Sequence, residues 1–284
     1  MLVVLLGTGS ALLYGVSDFF GGAASRTQPA LRVTIGALAI AAVLDLPVLA
    51  VGTPVWSVPA LITGALGGLC GGIGTWLFYA ALARGPVGVV APAVALIAAV
   101  LPALVGLLRG EPIGPLTGVA LVAVVVAGAL LSVERQAHLR PDRTTVLLIL
   151  AAGIPYGLYL VVIGLSPTDS GAVPLMADLV VGTLLLLAIV GVQRLRRADR
   201  GVPIDRPGAL LILAAGLSQA VAGVLLVFAL HLPALAIVGA LSALYPVGTV
   251  ALGIGVLGER VRPFQLAGMV LAIAGVALLA VARA

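Results

Sequence analysis

Lysine and asparagine are absent from the chain, and all fifteen of its basic residues are arginine. The first absence excludes a Lys Schiff base or Lys nucleophile. The second excludes Asn-linked glycosylation. Cys70 is the single cysteine and lies inside an apolar run, so no intrachain disulfide can form. The two histidines, His138 and His231, are far apart in sequence and lack neighbouring ligands, so no metal site is expected. Charge is scarce as well, at 9% of residues against about a quarter in a soluble domain. Aromatic residues make up 4%.

What is present is apolar. Hydrophobic residues are 62% of the chain, and the mean hydropathy is +1.29. A soluble protein of this composition would have little to place on its surface, so the surrounding solvent is lipid. The net charge of +5 is then a property of loops and bears on membrane orientation, not on nucleic acid. An integral protein of the cell (plasma or inner) membrane is expected, with no cofactor.

Ten apolar runs satisfy the rule that a membrane-crossing helix needs roughly twenty residues. They are 2–20, 31–52, 59–83, 87–108, 114–133, 144–165, 172–193, 208–230, 234–257 and 262–282. Met1 to Leu13 has no basic leader and reads as the start of a spanning helix rather than a signal peptide. Most connections are short, such as Arg84-Gly85-Pro86 and His231-Leu232-Pro233. A polar linker, 134–143, divides the chain into halves 1–133 and 144–284, each with five runs.

The halves look like copies. Shifting Leu61–Glu111 by 148 residues lays it on Ala209–Glu259 without a gap, with twelve identities in 51 pairs. Gly68-Leu69 falls on Gly216-Leu217, Ala81-Leu82 on Ala229-Leu230, and Gly110-Glu111 on Gly258-Glu259. Tyr14-Gly15 also matches Tyr156-Gly157, and Gly36 matches Gly182, which sets Arg32 opposite Asp178. An odd number of spans per copy turns the second copy upside down in the bilayer. The expected fold is therefore an all-α integral membrane protein, ten transmembrane helices as two inverted five-helix repeats, with a binding site where the copies meet. By the positive-inside rule the arginine distribution favours both termini outside.

The stretch Leu244-Tyr245-Pro246 … Leu257-Gly258-Glu259-Arg260 … Gln265 … Gly268 … Gly275-Val276 resembles the repeated EamA domain of the drug/metabolite transporter superfamily. Gly110-Glu111 with Gly118 is a weaker version in the first half, and Tyr14 to Gly22 looks like the opening helix of such proteins. The resemblance implies a membrane exporter or exchanger of small metabolites, built of two five-helix copies around a central cavity. Members more often have cytoplasmic termini, the reverse of what the arginines here favour.

Candidate residues follow from depth and type. Glu111 and Glu259 read as turn residues, each placed after a helix-ending glycine and at the start of the next helix, where the dipole favours an anion. Gly253-Ile254-Gly255-Val256-Leu257-Gly258 matches the dinucleotide fingerprint in letters only, because no βαβ unit surrounds it. The glycines from Gly64 to Gly74 make a bare face for close helix contact or for cavity lining. Asp18, Asp45 and Asp178 fall within spans, and an intramembrane acid is a functional candidate, here for ion coupling. The bland alternative is an ion pair with Arg32 or Arg26. Arg32 itself could neutralise an anion or snorkel to headgroups.

Tyr14, Trp76, Tyr79, Tyr156, Tyr159 and Tyr245 are candidates for cavity lining, as are Asp18, Asp178, Ser218 and Gln219. Tyr156 and Tyr159 share a helix face, as do Trp76 and Tyr79. Pro92, Pro102, Pro155 and Pro246 free backbone carbonyls that lipid cannot satisfy, so they should face protein or a wet cavity.

The functional expectation is a secondary transporter, not an enzyme, for a small organic metabolite or drug-like solute. It works by alternating access, and an intramembrane acid would permit proton coupling. The alternative is a flippase or carrier for a lipid-linked or amphipathic molecule.

Overall fold

The computed structural model describes residues 1–51, 54–85, 87–110, 114–131, 142–196, 204–232, 234–242 and 244–249. Beyond these it describes positions 252, 263–264, 267–268, 270–271, 274–275 and 278. Glu111, the Gly258-Glu259-Arg260 turn, the Gly253–Gly258 run and linker residues 134–141 lie outside the described residues.

Nine α-helices are present among the described residues, and no strand. They are α1 (Leu2–Ser25), α2 (Ala30–Asp45), α3 (Val58–Leu82), α4 (Val87–Leu108), α5 (Pro115–Leu131), α6 (Arg143–Gly164), α7 (Val173–Arg196), α8 (Arg206–Leu230) and α9 (Leu235–Ser242). Residues 245–249 are helical again. Six segments are long and apolar enough to cross a membrane: α1, α2 with its 3-10 continuation, α3, α6, most of α7, and α8. Shorter apolar helical stretches run over Ala93–Leu108, Pro115–Ala127 and Ile237–Thr249.

The helix starts are written in the sequence. Ser57 caps α3 by accepting from the Ala60 N–H at 3.3 Å, and Asp205 caps α8 by accepting from the Gly208 N–H at 3.0 Å. Asp142 caps α6, accepting from the Thr145 N–H at 2.9 Å and from the Thr145 hydroxyl. Those bonds hold the Asp142 carboxyl below its ordinary range. Each cap satisfies a donor that the first helical turn leaves unpaired. At the other end of α4, Gly110 has φ 74°, a left-handed stop that glycine takes without a Cβ penalty.

Two boundaries differ from the apolar runs. α1 continues to Ser25, past the end of its apolar run at 20. α2 ends at Asp45 and becomes a 3-10 turn, Leu46–Ala50, because Pro47 cannot continue the α-helical ladder. Asp45 therefore sits at the end of α2, within the apolar segment that runs on to Ala50.

Helix contacts come in pairs. α1 lies along α8, and α3 along α6. α3 also lies on α7, as α2 does on α8. α4 packs on α6, and α1 on α9. Glycines permit these approaches. A Cβ on Gly15 of α1 would stand 1.9 Å from the Tyr245 carbonyl oxygen, and one on Gly157 of α6 would stand 2.9 Å from that of Ala98. On α3, a Cβ on Gly68 would come within 2.4 Å of the Asp178 carbonyl oxygen. On α8, one on Gly216 would come within 3.0 Å of the Ala37 carbonyl oxygen. In lipid, close backbone approach of this kind supplies the van der Waals contact that holds helices together. The outward positions are apolar side chains such as Leu5, Leu61, Leu150, Leu184 and Leu217, all exposed.

Candidate functional site: a central cavity lined by tyrosines and two aspartates

A cavity of about 90 Å³ lies where α1, α2, α3, α4, α6, α7, α8 and α9 converge. α1 contributes Tyr14 and Asp18, four residues apart and so on one face. α6 contributes Tyr156 and Tyr159 by the same logic. Asp178 comes from α7, Gln219 from α8, and Tyr245 from the short helical stretch after α9. Small residues complete the wall: Gly71 on α3, and Ala95, Ala98 and Ala99 on α4. The glycine row of α3 thus divides. Gly64, Gly68 and Gly72 press on α7, and Gly71 opens to the cavity.

The remaining candidates lie elsewhere. Trp76 is half-buried against the core, and Ser218 is not in the wall. Tyr79 is fully buried behind it, where its ring fills the space that a Cβ on Gly21 would need. Asp45 is buried at the end of α2, away from the wall, with Oδ2 lacking a hydrogen-bond partner among the described residues.

The two acids in the cavity are held differently. Asp178, 6% exposed, interacts with the Tyr159 side chain, which interacts in turn with that of Tyr14. An ionised carboxylate only accepts and a phenol donates once. With Asp178 ionised, Tyr159 therefore donates to Asp178, and Tyr14 donates to the Tyr159 oxygen. Asp178 thus takes a tyrosine and not Arg32 as its partner. Asp18 is 7% exposed, and among the described residues no group hydrogen-bonds its carboxylate. The phenols of Tyr14, Tyr79, Tyr156 and Tyr245 are all within electrostatic reach of it.

The other hydroxyls are committed to protein. Tyr156 donates to Thr75 Oγ1 at 3.1 Å, and Tyr245 donates to the Ala91 carbonyl. Phe78, fully buried, meets both rings edge-on, with centroids 5.9 Å from Tyr156 and 5.8 Å from Tyr245. Ser17 donates to the Ala215 carbonyl at 2.9 Å and lies 3.4 Å from Gln219 Oε1. Among the described residues the wall carries no basic side chain. Sequence reasoning missed Thr75, Ser17 and Phe78, all of which steer wall residues. Thr75 could have been found, since it is four residues beyond Gly71 on the same helix face.

Long apolar helices closed around a cavity with two buried acids define a helical integral membrane protein with an internal binding space. Residues 143–281 match the model of the EamA-like transporter family, a family of membrane transporters. A solved crystal structure of another protein, 20% identical, superposes with a TM-score of 0.71 over 97% of this chain and 95% of that one, so the fold is shared. No curated protein matches the sequence significantly.

Proposed function

We propose that the chain is a secondary transporter that moves a small organic solute across the cell's plasma (inner) membrane by alternating access. One observation carries the reading: the cavity is enclosed by helix pairs that recur. α1 on α8 corresponds to α6 on α3, α2 on α8 to α7 on α3, and α1 on α9 to α6 on α4. The correspondence equates helices five apart. This is the arrangement expected of two five-helix repeats, 1–133 and 144–284 joined by 134–143, with the second inverted.

The details support the same equivalence. Gly15 and Gly157 make the matching contacts with the carbonyls of Tyr245 and Ala98. Gly22 stands against Leu82, and Gly164 against Leu230. Ser57 and Asp205, 148 residues apart, cap α3 and α8, each with a proline in the first turn. Two like bundles facing one cavity can rock about it and expose it to each side in turn. Asp18 and Asp178 are the groups available to couple that motion to a proton or another ion.

The test is solute flux in proteoliposomes holding the purified chain, with and without imposed pH and potential gradients, across neutral, zwitterionic, cationic and anionic organic solutes. Accumulation of one class above empty liposomes supports the reading. Absence of flux for every class under every gradient overturns it.

A further inference from the structure

The cavity wall is unbalanced in a way that selects what can occupy it. The hydroxyl protons of its tyrosines and of Ser242 are spent on protein, whereas Thr75 only accepts. Tyr14 and Tyr159 serve the chain that ends on Asp178, Tyr156 serves Thr75, and Tyr245 serves the Ala91 carbonyl. Ser242 donates to the Val238 carbonyl of its own helix at 2.9 Å. An anion entering the cavity would find no basic side chain among the described wall residues, and only the Thr75 hydroxyl and the Gln219 amide as uncommitted neutral donors. It would also face two carboxylates. The strongest open acceptor is the Asp18 carboxylate, more than nine-tenths buried, turned to the cavity and without a hydrogen-bonding partner among the described residues. A buried carboxylate without a counter-charge is costly, so the site favours a ligand that supplies one.

The wall also says which kind of cation. A metal ion such as Na⁺ or Ca²⁺ needs a shell of several oxygen ligands, and among the described wall residues Asp18 is the one carboxylate free of a protein partner. What the cavity offers besides Asp18 is aromatic surface from Tyr14, Tyr156, Tyr159 and Tyr245. Rings around a single carboxylate are the chemistry that holds an alkylammonium group, through cation–π attraction and a desolvated charge pair.

We propose that the solute is a small organic monocation, an alkylated amine, whose nitrogen pairs with Asp18 and whose alkyl groups lie against the tyrosine rings. Asp178, already held by Tyr159, keeps the opposite wall in place and sets the field. This inference rests on the transporter reading and narrows it. It assigns the first ligand contact to α1, outside the stretch 143–281 that carries the family match.

The test uses the full chain in proteoliposomes, with radiolabelled tetramethylammonium, leucine and sorbitol as cationic, zwitterionic and neutral probes under an inside-negative potassium diffusion potential. Tetramethylammonium should accumulate above empty liposomes and resist competition by excess Na⁺. Asp18→Asn, checked for a monodisperse elution profile, should cut that uptake by about thirtyfold or more, as expected when one partner of a buried charge pair is lost. Tyr156→Leu, which keeps the acid and removes a ring, should weaken tetramethylammonium binding about fivefold in nanodiscs.

Flux of leucine or sorbitol without tetramethylammonium overturns the cation assignment and leaves the transporter reading standing. Wild-type tetramethylammonium uptake by Asp18→Asn overturns the role of Asp18. If Asp18→Asn does not fold, unchanged binding in Tyr156→Leu overturns the aromatic cage. Failure of all three probes to move overturns the cation assignment, and the transporter reading then falls only if anionic solutes also fail to move.

Discussion

Where α1 meets α8, Ser17 donates to the Ala215 carbonyl at 2.9 Å. Where α6 meets α3, Tyr159 lies over Gly67 and reaches on to Asp178. The backbones cross alike, and Ser17 and Tyr159 are separated by the same interval as Gly15 and Gly157. The side chains differ. Asp18 has Leu160 in the matching position, and Asp178 has Arg32. Small residues make both crossings, and the cavity side chains sit between those contacts. The result is a cavity with one acid on α1 and one on α7.

The comparison can be broken hardest at the glycines. Gly15→Ala would place a methyl 1.9 Å from the Tyr245 carbonyl oxygen, whereas Gly157→Ala would place one 2.9 Å from that of Ala98. Overpacking costs about 1–3 kcal/mol and occasionally more. Gly15→Ala should reach or exceed the top of that range and Gly157→Ala should stay near the bottom, measured as detergent-solubilised Tm and folded yield. Equal losses would mean that the two crossings are equally tight.

Next in size, Tyr159→Phe keeps the ring and removes the hydroxyl that holds Asp178. Leaving a buried acceptor without its donor costs about 1–3 kcal/mol. Ser17→Ala removes a single neutral bond, worth about 1 kcal/mol. Thermal unfolding of the two variants should rank Tyr159→Phe as the more harmful. The reverse order would show that the Asp178 side of the cavity is not the more strongly tied.

The smallest effects lie at the caps. Ser57→Ala and Asp205→Ala should each lose about 1 kcal/mol. The Asp205 variant should lose slightly more, because Asp205 also accepts from Gln28 Nε2 at 2.9 Å. Equal Tm values would assign no weight to that second bond.

Much of this was legible in residues. The caps at Ser57, Asp142 and Asp205, the stop at Gly110 and the match of Tyr14-Gly15 to Tyr156-Gly157 need only local chemistry and counting. The facing of each helix was not legible. In water, the apolar side of a helix points inward. In lipid both sides are apolar, so a row such as Trp76 and Tyr79 carries no mark of which way it turns. Tyr156 and Tyr159 repeat the same spacing and do line the cavity, whereas Trp76 and Tyr79 do not. The end of α2 was hidden for another reason: Pro47 ends the α-helix at a position that apolar character alone runs through.

The sequence by itself determined a lipid-embedded helical protein, the places where most of its helices begin, and the small residues on which they meet, because these follow from hydrocarbon thickness, unpaired backbone donors and side-chain size. Only the tertiary structure decided that Asp178 is satisfied by Tyr159 and that Asp18 faces the cavity without a partner. Those outcomes depend on how α1, α6 and α7 are rotated against α3 and α8. That rotation is set by backbone approaches at Gly15, Gly68 and Gly157 that join residues far apart in the chain.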